Sequence, residues 1–408
     1  MAVIVHLITG LETGGTERML ARLVMGLDRE RHRSIVVSMT GPGVVGPLLE
    51  RAGIELHTLG MRRGVADLRG LARVAAILHE VQPDILQTWL YHADLLGTVA
   101  RLLAPPCALF WNVQCAESID ADIVRRLLVW CSARPHGVVV NSLTGKRFHE
   151  QLGYQPRRWE HIPNGCDTNV FRFDAKARLE LRHELGISDD SVAIGLPARF
   201  HPMKDHANFL AATARLAAVR PDTVFVLVGP DVDVANRALG HTIAAHRMTG
   251  HVRLLGEQHD MTRVYSALDI ATLSSAFGEG CPNVLGEAMS CGVPCVATDC
   301  GDAADILGPT GIVVPPRDPG ALAAAWERLI SLGPDARRAL GTKARDRIIE
   351  CYDLPAIVDR YDALYSGLVA QYSDELASKR GRQPGFAAVE AAIRAVLRSA
   401  GRIRTPML

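Results

Sequence analysis

The sequence predicts an α/β protein with two doubly wound, parallel-sheet domains that face each other across a cleft. Three observations carry this prediction. The chain has 408 residues, too many for one ordinary hydrophobic core. Apolar residues make up 48% of it and aromatic residues only 5%, a composition typical of globular α/β proteins. Short apolar runs alternate with helical patterns along the chain, which indicates repeated parallel βα units.

Strands are expected wherever valine, isoleucine and leucine stand between turn residues. In the first half of the chain they cover residues 3–8, 35–38, 54–57, 84–88, 108–112 and 137–140. In the second half they cover residues 192–196, 224–228, 252–255, 270–273, 295–298 and 312–314. A turn-rich segment at 163–167 and a charged helix from about Asp174 to Gly186 separate the two sets.

Charge and segment composition exclude several classes of protein. The 45 basic and 44 acidic residues give a formal charge of +1, so the chain has no strong positive field for nucleic acid. Residues 1–8 lack the basic and long apolar parts of a signal peptide. The run nearest in length to a membrane span, Leu95 to Trp111, contains Arg101 and two prolines, and we therefore expect no such span.

Cysteine usage indicates reduced thiols. The nine cysteines include no Cys-x-x-Cys pair, and their odd number and irregular spacing favour a cytosolic protein over a disulfide framework or a zinc site. Cys291, Cys295 and Cys300 are close enough in sequence to suggest a metal site. Burial as small apolar side chains is the interpretation that we favour.

Two glutamates eight positions apart, Glu279 and Glu287, form the most informative pattern in the chain. Gly278 and Gly280 flank the first of them, which predicts a loop with unusual backbone angles or with close approach of a ligand. The second falls in a short helix predicted for residues 283–289. We therefore expect one carboxylate in a loop and the other about one turn inside the following helix.

The start of that helix is a predicted anion site. Pro282 fits its first position, and Gly292 ends it. The outward-pointing amide groups of its first turn would be those of Asn283, Val284 and Leu285. Two carboxylates that accept hydroxyl groups, placed around a phosphate-binding helix start, describe a nucleotide-sugar pocket. Acid pairs at this spacing are common, so other loops have to support the interpretation.

The loop after the first predicted strand, residues 9–17, is one such loop, because ligands of parallel sheets bind beyond the carboxyl ends of the strands. Gly14 and Gly15 would let the backbone approach a ligand closely, and Thr16 could cap the next helix. The loop lacks the Gly-x-Gly-x-x-Gly fingerprint of dinucleotide-binding domains. A plain βα turn is an equally good interpretation of this segment alone.

Two loops of the second half point to the same cleft. Arg199 and Lys204 follow the strand at 192–196 and could converge on a diphosphate. The arginine would donate two parallel hydrogen bonds, and the lysine would act as a point charge. A solvated basic loop is the alternative. Asp302 lies in the turn after the strand at 295–298, where we expect it, with Glu279, to influence the choice of sugar.

Further motifs at matching positions complete the pattern. In the second half they are Val228-Gly229, Leu255-Gly256, Ser274-Ser275, Gly292-Val293-Pro294 and the segment 310–316. In the first half they are Gly14-Gly15-Thr16-Glu17, Asn141-Ser142 and Ile162-Pro163-Asn164-Gly165 with Asp167. With these motifs, the chain from about Val3 to Tyr365 resembles the family 4 glycosyltransferases.

That resemblance implies a GT-B fold, in which two Rossmann-like domains face a cleft and the second holds most of a nucleotide sugar. It implies transfer with retention of anomeric configuration and usually no required metal. The expected domains are an acceptor-side domain at 1–170, a donor-binding domain at 171–350 and a helix at 351–372 that crosses back to the first domain. A basic amphipathic tail at 373–408 lies beyond the resemblance and could bind an anionic membrane surface or pack as an ordinary helix.

The resemblance also implies roles for residues. Glu279, Arg199 and Lys204 would form the catalytic set, with the glutamate beside the donor sugar and the two cations on the diphosphate. The ribose hydroxyls would bind Glu287. The other donor contacts would be Gly14, Gly15, Gln258, Asn283, Val284 and Leu285.

The acceptor side is less defined by the sequence. His92, after the fourth predicted strand, could contact the acceptor or the sugar, although a lone histidine is more often structural. Many members of the family have a histidine after the fifth strand. This chain has Asn112 and Gln114 there instead, which could make neutral contacts.

We therefore expect a retaining glycosyltransferase that moves a hexose-type sugar from a UDP- or GDP-sugar to a glycan or lipid-linked acceptor. The pathway would be bacterial cell-surface polysaccharide or glycolipid synthesis, including exopolysaccharide and lipopolysaccharide. We expect a cytoplasmic protein, with peripheral contact at the inner membrane as an option, and no nucleic-acid partner. The alternatives are a nucleotide-sugar epimerase of the same architecture and a non-catalytic scaffold that binds a sugar nucleotide.

Overall fold

A computed structural model describes residues 1–62, 67–114 and 122–380 of the chain. They form two parallel β-sheets with helices between the strands, so the predicted α/β class with two facing sheets is confirmed. In the first sheet the strand order is β3-β2-β1-β4-β5-β6-β7. Its strands are β1 (Ala2–Ile8), β2 (His32–Ser38), β3 (Glu55–Thr58), β4 (Ile85–Trp89), β5 (Ala108–Val113), β6 (Gly137–Val140) and β7 (Trp159–His161).

The helices of this first half are α1 (Gly15–Gly26), α2 (Gly46–Arg51), α3 (Leu68–Val81), α4 (Tyr91–Leu102), α5 (Asp122–Cys131) and α6 (Leu143–Gln151). They cover both faces of the sheet. Ile4 and Ile8 of β1 belong to one apolar cluster, whereas Val5 and Leu7 belong to another. A strand buried on both faces is apolar at successive positions. Runs of apolar residues in the sequence therefore located these strands.

The second sheet has the order β10-β9-β8-β11-β12-β13. Its strands are β8 (Val192–Pro197), β9 (Thr223–Val228), β10 (Val252–Leu254), β11 (Ile270–Leu273), β12 (Cys295–Thr298) and β13 (Ile312–Val314). The helices are α7 (Ala175–Glu184), α8 (His206–Ala217), α9 (Arg237–Ala245), α10 (Met261–Ala267), α11 (Asn283–Ser290), α12 (Ala303–Leu307), α13 (Pro319–Ser331), α14 (Gly333–Tyr352) and α15 (Leu354–Arg380). Two short 3₁₀ turns, Pro202–Lys204 and Gly308–Thr310, complete this half.

Every predicted strand is present, with bounds that differ by at most a few residues. The strand that the sequence did not reveal is β7, which pairs with β6 at the edge of the first sheet. It has three residues, Trp159, Glu160 and His161, and all are only partly buried. Such a short and polar strand carries no apolar run for a pattern search to find.

The last described helix, α15, returns to the first sheet. Its residues Ile357, Val358, Tyr361 and Tyr365 are buried in the same apolar cluster as β1. The crossing point is fixed by backbone hydrogen bonds, in which the amide of Cys166 donates to the carbonyl of residue 352 at 2.8 Å and the amide of residue 354 donates to Cys166 at 2.9 Å. The predicted domain limits themselves stay predictions.

Residues 381–408, which hold most of the predicted amphipathic tail, lie outside the described residues. No helix in the described part of the chain combines the length and apolar character that a membrane span requires.

Candidate functional site

A cavity of about 440 Å³ lies between the two sheets, and its walls are loops that follow strands. The first half contributes the segment 13–16 after β1, Gln114 after β5, Asn141 after β6 and Asn164. The second half contributes the loops after β8, β9, β10 and β11. Ligands of parallel sheets bind at this end of the strands, and the volume falls in the range of small-molecule sites. The cavity is therefore the candidate active site.

The three side chains predicted to form the catalytic set all line this cavity. Glu279 is 7% exposed, in the loop after β11, where Gly278 takes the left-handed φ of 78°. Its Oε1 atom accepts hydrogen bonds from the ammonium of Lys204 and the hydroxyl of Ser275. A carboxylate held by two donors is fixed in position before any substrate binds.

Lys204 ends the 3₁₀ turn after β8. The turn is capped by His201, whose Nδ1 atom accepts from the amide of Met203 at 3.2 Å, and it is followed by Asp205 in the left-handed region with φ of 46°. Arg199 is exposed on the cavity wall. In the described part of the chain, no acidic group pairs with Arg199, so its charge is available to an anion, whereas Lys204 shares its charge with Glu279.

Glu287 lies at the fifth position of α11 and is 6% exposed. The hydroxyl of Tyr265 donates to its Oε2 atom at 3.0 Å, and the Nη2 atom of Arg22 lies 3.5 Å from its Oε1 atom. Burial raises the pKa of Glu287, and Arg22 and Tyr265 act in the opposite direction. The sequence patterns had not singled out Tyr265 or Arg22, because each lies in another helix, 22 and 265 residues from Glu287 in sequence.

The start of α11 agrees with the prediction except at two residues. Pro282 precedes the helix as its cap, with an extended ψ of 102°, and is not its first residue. Leu285 is wrong as an anion contact, since its amide donates to the carbonyl of Pro282 at 3.1 Å and its side chain is 1% exposed. The tight first turn uses this amide internally. Asn283 and Val284 do line the cavity.

Across the cavity, the loop after β1 presents Gly14 and Gly15. A Cβ atom on Gly15 would lie 2.9 Å from Nδ2 of Asn283, so glycine permits the close approach of the two domains here. The proposed cap was wrong: Gly14 precedes α1 without a side-chain cap, and Thr16 is already the second residue of the helix. The exposed Arg18, which the sequence analysis missed, also lines the cavity.

Of the three residues predicted for the acceptor side, only Gln114 lines the cavity. Its Oε1 atom accepts from Nδ2 of Asn141 at 3.0 Å. Asn112 is fully buried and donates to the hydroxyl of Tyr361 in α15 at 2.9 Å, so it serves the packing of that helix. His92 is exposed at the second position of α4. Gln258 lines the cavity, and its side chain donates to the carbonyl of residue 255 at 2.7 Å.

Asp302 does not line the cavity, although we expected it to influence the choice of sugar there. Its two carboxylate oxygens accept from the amides of Leu143 at 2.7 Å and Thr144 at 2.9 Å, at the start of α6 in the first half. The hydroxyl of Thr144 donates to the carbonyl of Gly301 at 3.1 Å. Asp302 therefore caps a helix of the opposite domain and joins the two sides of the cleft.

The cysteine cluster is buried, as expected for small apolar side chains. Cys291 and Cys295 belong to an apolar cluster of the second half, and Cys300 is 8% exposed. Burial raises the pKa of the Cys291 thiol to about 12, so the thiolate that binds metals is disfavoured there.

Two facing parallel sheets with a cavity between their carboxyl ends define the GT-B fold. HepE from Anabaena, solved in complex with UDP, has this fold and superimposes with a TM-score of 0.79 at 22% sequence identity. The match covers 89% of this chain and 99% of HepE.

Two family models match the sequence, one in each half. The Glycosyltransferase Family 4 model matches residues 13–170, and the Glycosyl transferases group 1 model matches residues 191–331. Together they cover most of the chain, which belongs to glycosyltransferase family 4.

Two curated relatives show the range of activities among similar proteins. One is the GDP-mannose-dependent monoacylated α-(1-6)-phosphatidylinositol monomannoside mannosyltransferase of Corynebacterium glutamicum, 29% identical over 51% of this chain. The other is the UDP-Gal:α-D-GlcNAc-diphosphoundecaprenol α-1,3-galactosyltransferase of Escherichia coli, 26% identical over 58% of this chain. The matched regions span 56% and 62% of these relatives' own lengths.

Proposed function

We propose that this chain transfers a hexose from a nucleoside diphosphate sugar to a glycan or lipid-linked acceptor in the synthesis of a bacterial cell-surface polysaccharide or glycolipid. One observation carries the proposal. Arg199, the paired Lys204 and Glu279, and the start of α11 all face one cavity. Both curated relatives have names that specify a nucleotide sugar and a lipid-linked acceptor, which supports the same class of substrates.

Each part of the donor has a partner in the cavity. The buried carboxylate of Glu287 would accept hydrogen bonds from ribose hydroxyls, since only part of its accepting capacity is used by Tyr265. The diphosphate would lie against Arg199, Lys204 and the amides of Asn283 and Val284. The base would lie near Gln258, which lines the same cavity.

The reaction requires stabilisation of two opposite charges. As the bond between the anomeric carbon and the phosphate oxygen breaks, positive charge develops on the sugar and negative charge on the diphosphate. The acceptor hydroxyl would attack the anomeric carbon from the side of the leaving group, and a diphosphate oxygen would take its proton. This route retains the anomeric configuration without a covalent enzyme intermediate. Arg199 and Lys204 stabilise the leaving group and Glu279 the sugar, so we propose that no metal is needed.

Two other functions were open on the sequence alone. An epimerase needs no acceptor and is not favoured, because both matching family models describe glycosyl transfer. A non-catalytic scaffold would have no use for the Lys204 and Glu279 pair beside the proposed sugar position. Product analysis with radiolabelled donor separates the three, since only a transferase gives a labelled acceptor.

A thermal-shift screen tests donor binding directly. UDP, GDP, ADP and their sugar conjugates would each be added to the chain, and stabilisation increases with the ratio of ligand concentration to Kd. We expect one base to give a clearly larger shift, with a further shift from the matching sugar. Equal shifts, or none, for all the nucleotides would contradict the proposed donor class.

Peripheral membrane contact is the remaining part of the proposal, and α5 supports it. Ile123, Leu127 and Trp130 are 71%, 40% and 67% exposed and lie on one face of this helix at helical spacing. Arg134, just after the helix, stacks its guanidinium 3.7 Å from the Trp130 ring centroid, and Arg125 and Arg126 lie within α5. An exposed apolar stripe with basic neighbours suits the interface of an anionic lipid bilayer.

A further inference from the structure

A second cavity, of about 810 Å³, opens on the donor-side half at the end of the sheet opposite to the cleft. Its walls include residues 189–192 before and at the start of β8, residues 268–269 before β11, and residues 291–294 before β12. Helices α13 and α14 and the segment before α7 complete it. These are the amino-terminal ends of the strands, so the cavity is separate from the donor site.

The lining of this cavity, which we term the rear cavity, is rich in arginine. The five arginines are Arg172, Arg178, Arg337, Arg338 and Arg345. Three aspartates, Asp189, Asp190 and Asp269, also line it. The charges of these side chains leave an excess of positive charge.

The deepest aspartate is already paired. Asp269 accepts from Arg178 at 2.8 Å and from Arg182 at 3.0 Å. Arg345 donates to backbone carbonyls, including that of Phe171 at 3.0 Å. Carbonyls satisfy its hydrogen bonds without neutralising its charge. Asp189 and Asp190 are exposed at the rim.

Arg337 is the residue that needs an explanation. The buried positions of α14 are Arg337, Gly341, Ala344 and Ile348, which lie on one face at helical spacing. An apolar side chain is expected at the first of these positions, yet an arginine stands there and is only 8% exposed. Burial lowers the pKa of Arg337, and the nearby carboxylate of Asp269 acts in the opposite direction.

In the described part of the chain, no side chain or carbonyl accepts a hydrogen bond from Arg337, and no carboxylate forms a salt bridge with it. The side chain is therefore buried along its stem, while the nitrogen atoms of its guanidinium remain open to the rear cavity. Methionine or leucine would fill the buried volume without a charge. The helix therefore presents a charged group to the rear cavity without a hydrogen-bond partner in the described residues.

We propose that the rear cavity binds a sugar phosphate, with the phosphate on Arg337 and the sugar hydroxyls toward Asp189 and Asp190. A guanidinium pairs with phosphate through two parallel hydrogen bonds. Arg338 lies at the same wall but already pairs with Asp335, so Arg337 is the main phosphate contact. Free carboxylates at the rim accept hydrogen bonds from hydroxyl groups. This combination fits a phosphorylated polyhydroxyl molecule better than a bare anion.

Calorimetry with glucose 6-phosphate tests the proposal on the full chain. The measurement is made in the Arg199→Ala/Lys204→Ala variant, which lacks the diphosphate-binding cations of the cleft. We expect binding there, and a loss of about tenfold or more in affinity when Arg337→Met is added, because one charge-assisted phosphate contact is removed. Asp189→Asn/Asp190→Asn should weaken glucose 6-phosphate and leave inorganic phosphate unchanged.

Thermal unfolding without ligand supplies a second readout. Arg337→Met should keep or raise the unfolding midpoint, because it removes a charge that has no hydrogen-bond partner in the described residues and keeps an apolar stem. A lower midpoint would contradict the proposal, since it would mean that Arg337 already has a structural partner.

Crystals of the unaltered chain soaked in glucose 6-phosphate give a test that does not depend on the folding of any variant. The phosphate should lie within hydrogen-bonding distance of the Arg337 guanidinium. Density only in the cleft, or unchanged affinity in the Arg337→Met chain, would overturn the proposal. So would Arg337-dependent binding to phosphatidylglycerol vesicles without binding of glucose 6-phosphate, which would assign the cavity to a lipid headgroup.

Discussion

Lys204 makes two kinds of contact. It faces the predicted diphosphate position, and it donates a hydrogen bond to Glu279. Arg199 has only the first of them. The two cations should therefore differ when each is removed, although the sequence treats them as equivalent. Loss of Lys204 also leaves the carboxylate of Glu279 with Ser275 as its remaining side-chain donor.

Lys204→Ala should lower kcat by about 10²–10³, the usual cost of removing one group that stabilises transition-state charge. Glu279→Gln should also slow transfer. Because the two side chains act as a pair, the double variant should lose less than the product of the single losses. Steady-state kinetics of all three chains, with Lys204→Arg as the charge-conserving control, checks this. Independent, multiplicative losses would show that the contact has no role in turnover.

Glu287 should act on binding rather than on turnover, since we propose that it binds the ribose and not the reacting carbon. Glu287→Gln should raise the Kd for the donor nucleotide by about tenfold, as charge-assisted hydrogen bonds are replaced by neutral ones. Tyr265→Phe is the matched control, because it removes the 3.0 Å hydrogen bond and keeps the carboxylate. Calorimetric titration with nucleoside diphosphate measures both. A Glu287→Gln chain with unchanged Kd would remove the ribose assignment.

At the scale of elements, α5 carries the proposed membrane contact. Trp130→Asp should reduce binding to phosphatidylglycerol vesicles several-fold in a sedimentation assay, since it places a charge on the exposed apolar stripe. Val219→Asp is the control, because Val219 is 68% exposed in the other half of the chain, just after α8. Equal effects of the two substitutions would indicate nonspecific adsorption instead of docking through α5.

The contact between β1 and α15 should make the chain sensitive to acid. His6 is fully buried beside Trp89 and Tyr365, and burial lowers its pKa to about 3. In the unfolded chain the pKa is about 6.5. As the pH falls below that value, the unfolded chain binds a proton that the folded chain does not, so stability is present above pH 6.5 and decreases below it.

At pH 5 this difference amounts to about 2 kcal/mol of lost stability from His6. Urea unfolding of the chain and of His6→Gln at pH 7.5 and pH 5 tests it. Glutamine keeps an acceptor for the Trp89 ring nitrogen, which lies 3.4 Å from His6 Nδ1. The variant should lose about 2 kcal/mol less than the parent over this range. The same loss in both chains would mean that His6 does not set the acid response.

For the whole molecule, the relation of the two halves depends on contacts across the cleft. Asp302 caps α6, Asn164 donates to Asn283 at 2.9 Å, and Arg22 lies near Glu287. These contacts come from loops and helix ends that are more than a hundred residues apart in sequence. They join the two walls of the cavity, and we expect them to favour a closed arrangement of the two halves.

Asp302→Ala should open the cleft, because the α6 amides lose their carboxylate partner. We expect a larger radius of gyration in small-angle X-ray scattering and a several-fold weaker donor Kd. Asp299→Asn is the control, since this exposed acid is nearby in the same turn and does not line the cavity. An unchanged radius of gyration in Asp302→Ala would show that other contacts determine closure.

The sequence by itself determined the strands, the order of the loops and the two acids of the cleft. Strands buried on both faces are apolar at successive positions, and the loop and helix at 278–290 are specified by nearby glycine and proline residues. Such signals are local, so a linear pattern contains them. The polar edge strand β7 carried no such signal.

Only the tertiary structure decided which partners the polar groups have. In the structure Lys204 pairs with Glu279, and Asn112 donates a hydrogen bond to Tyr361. Asp302, which we expected near the sugar, caps a helix of the opposite domain. The structure also revealed Arg337 as a buried cation. A hydrogen bond depends on a few ångströms between groups that can be far apart in the chain, and residue types and spacing do not encode that distance.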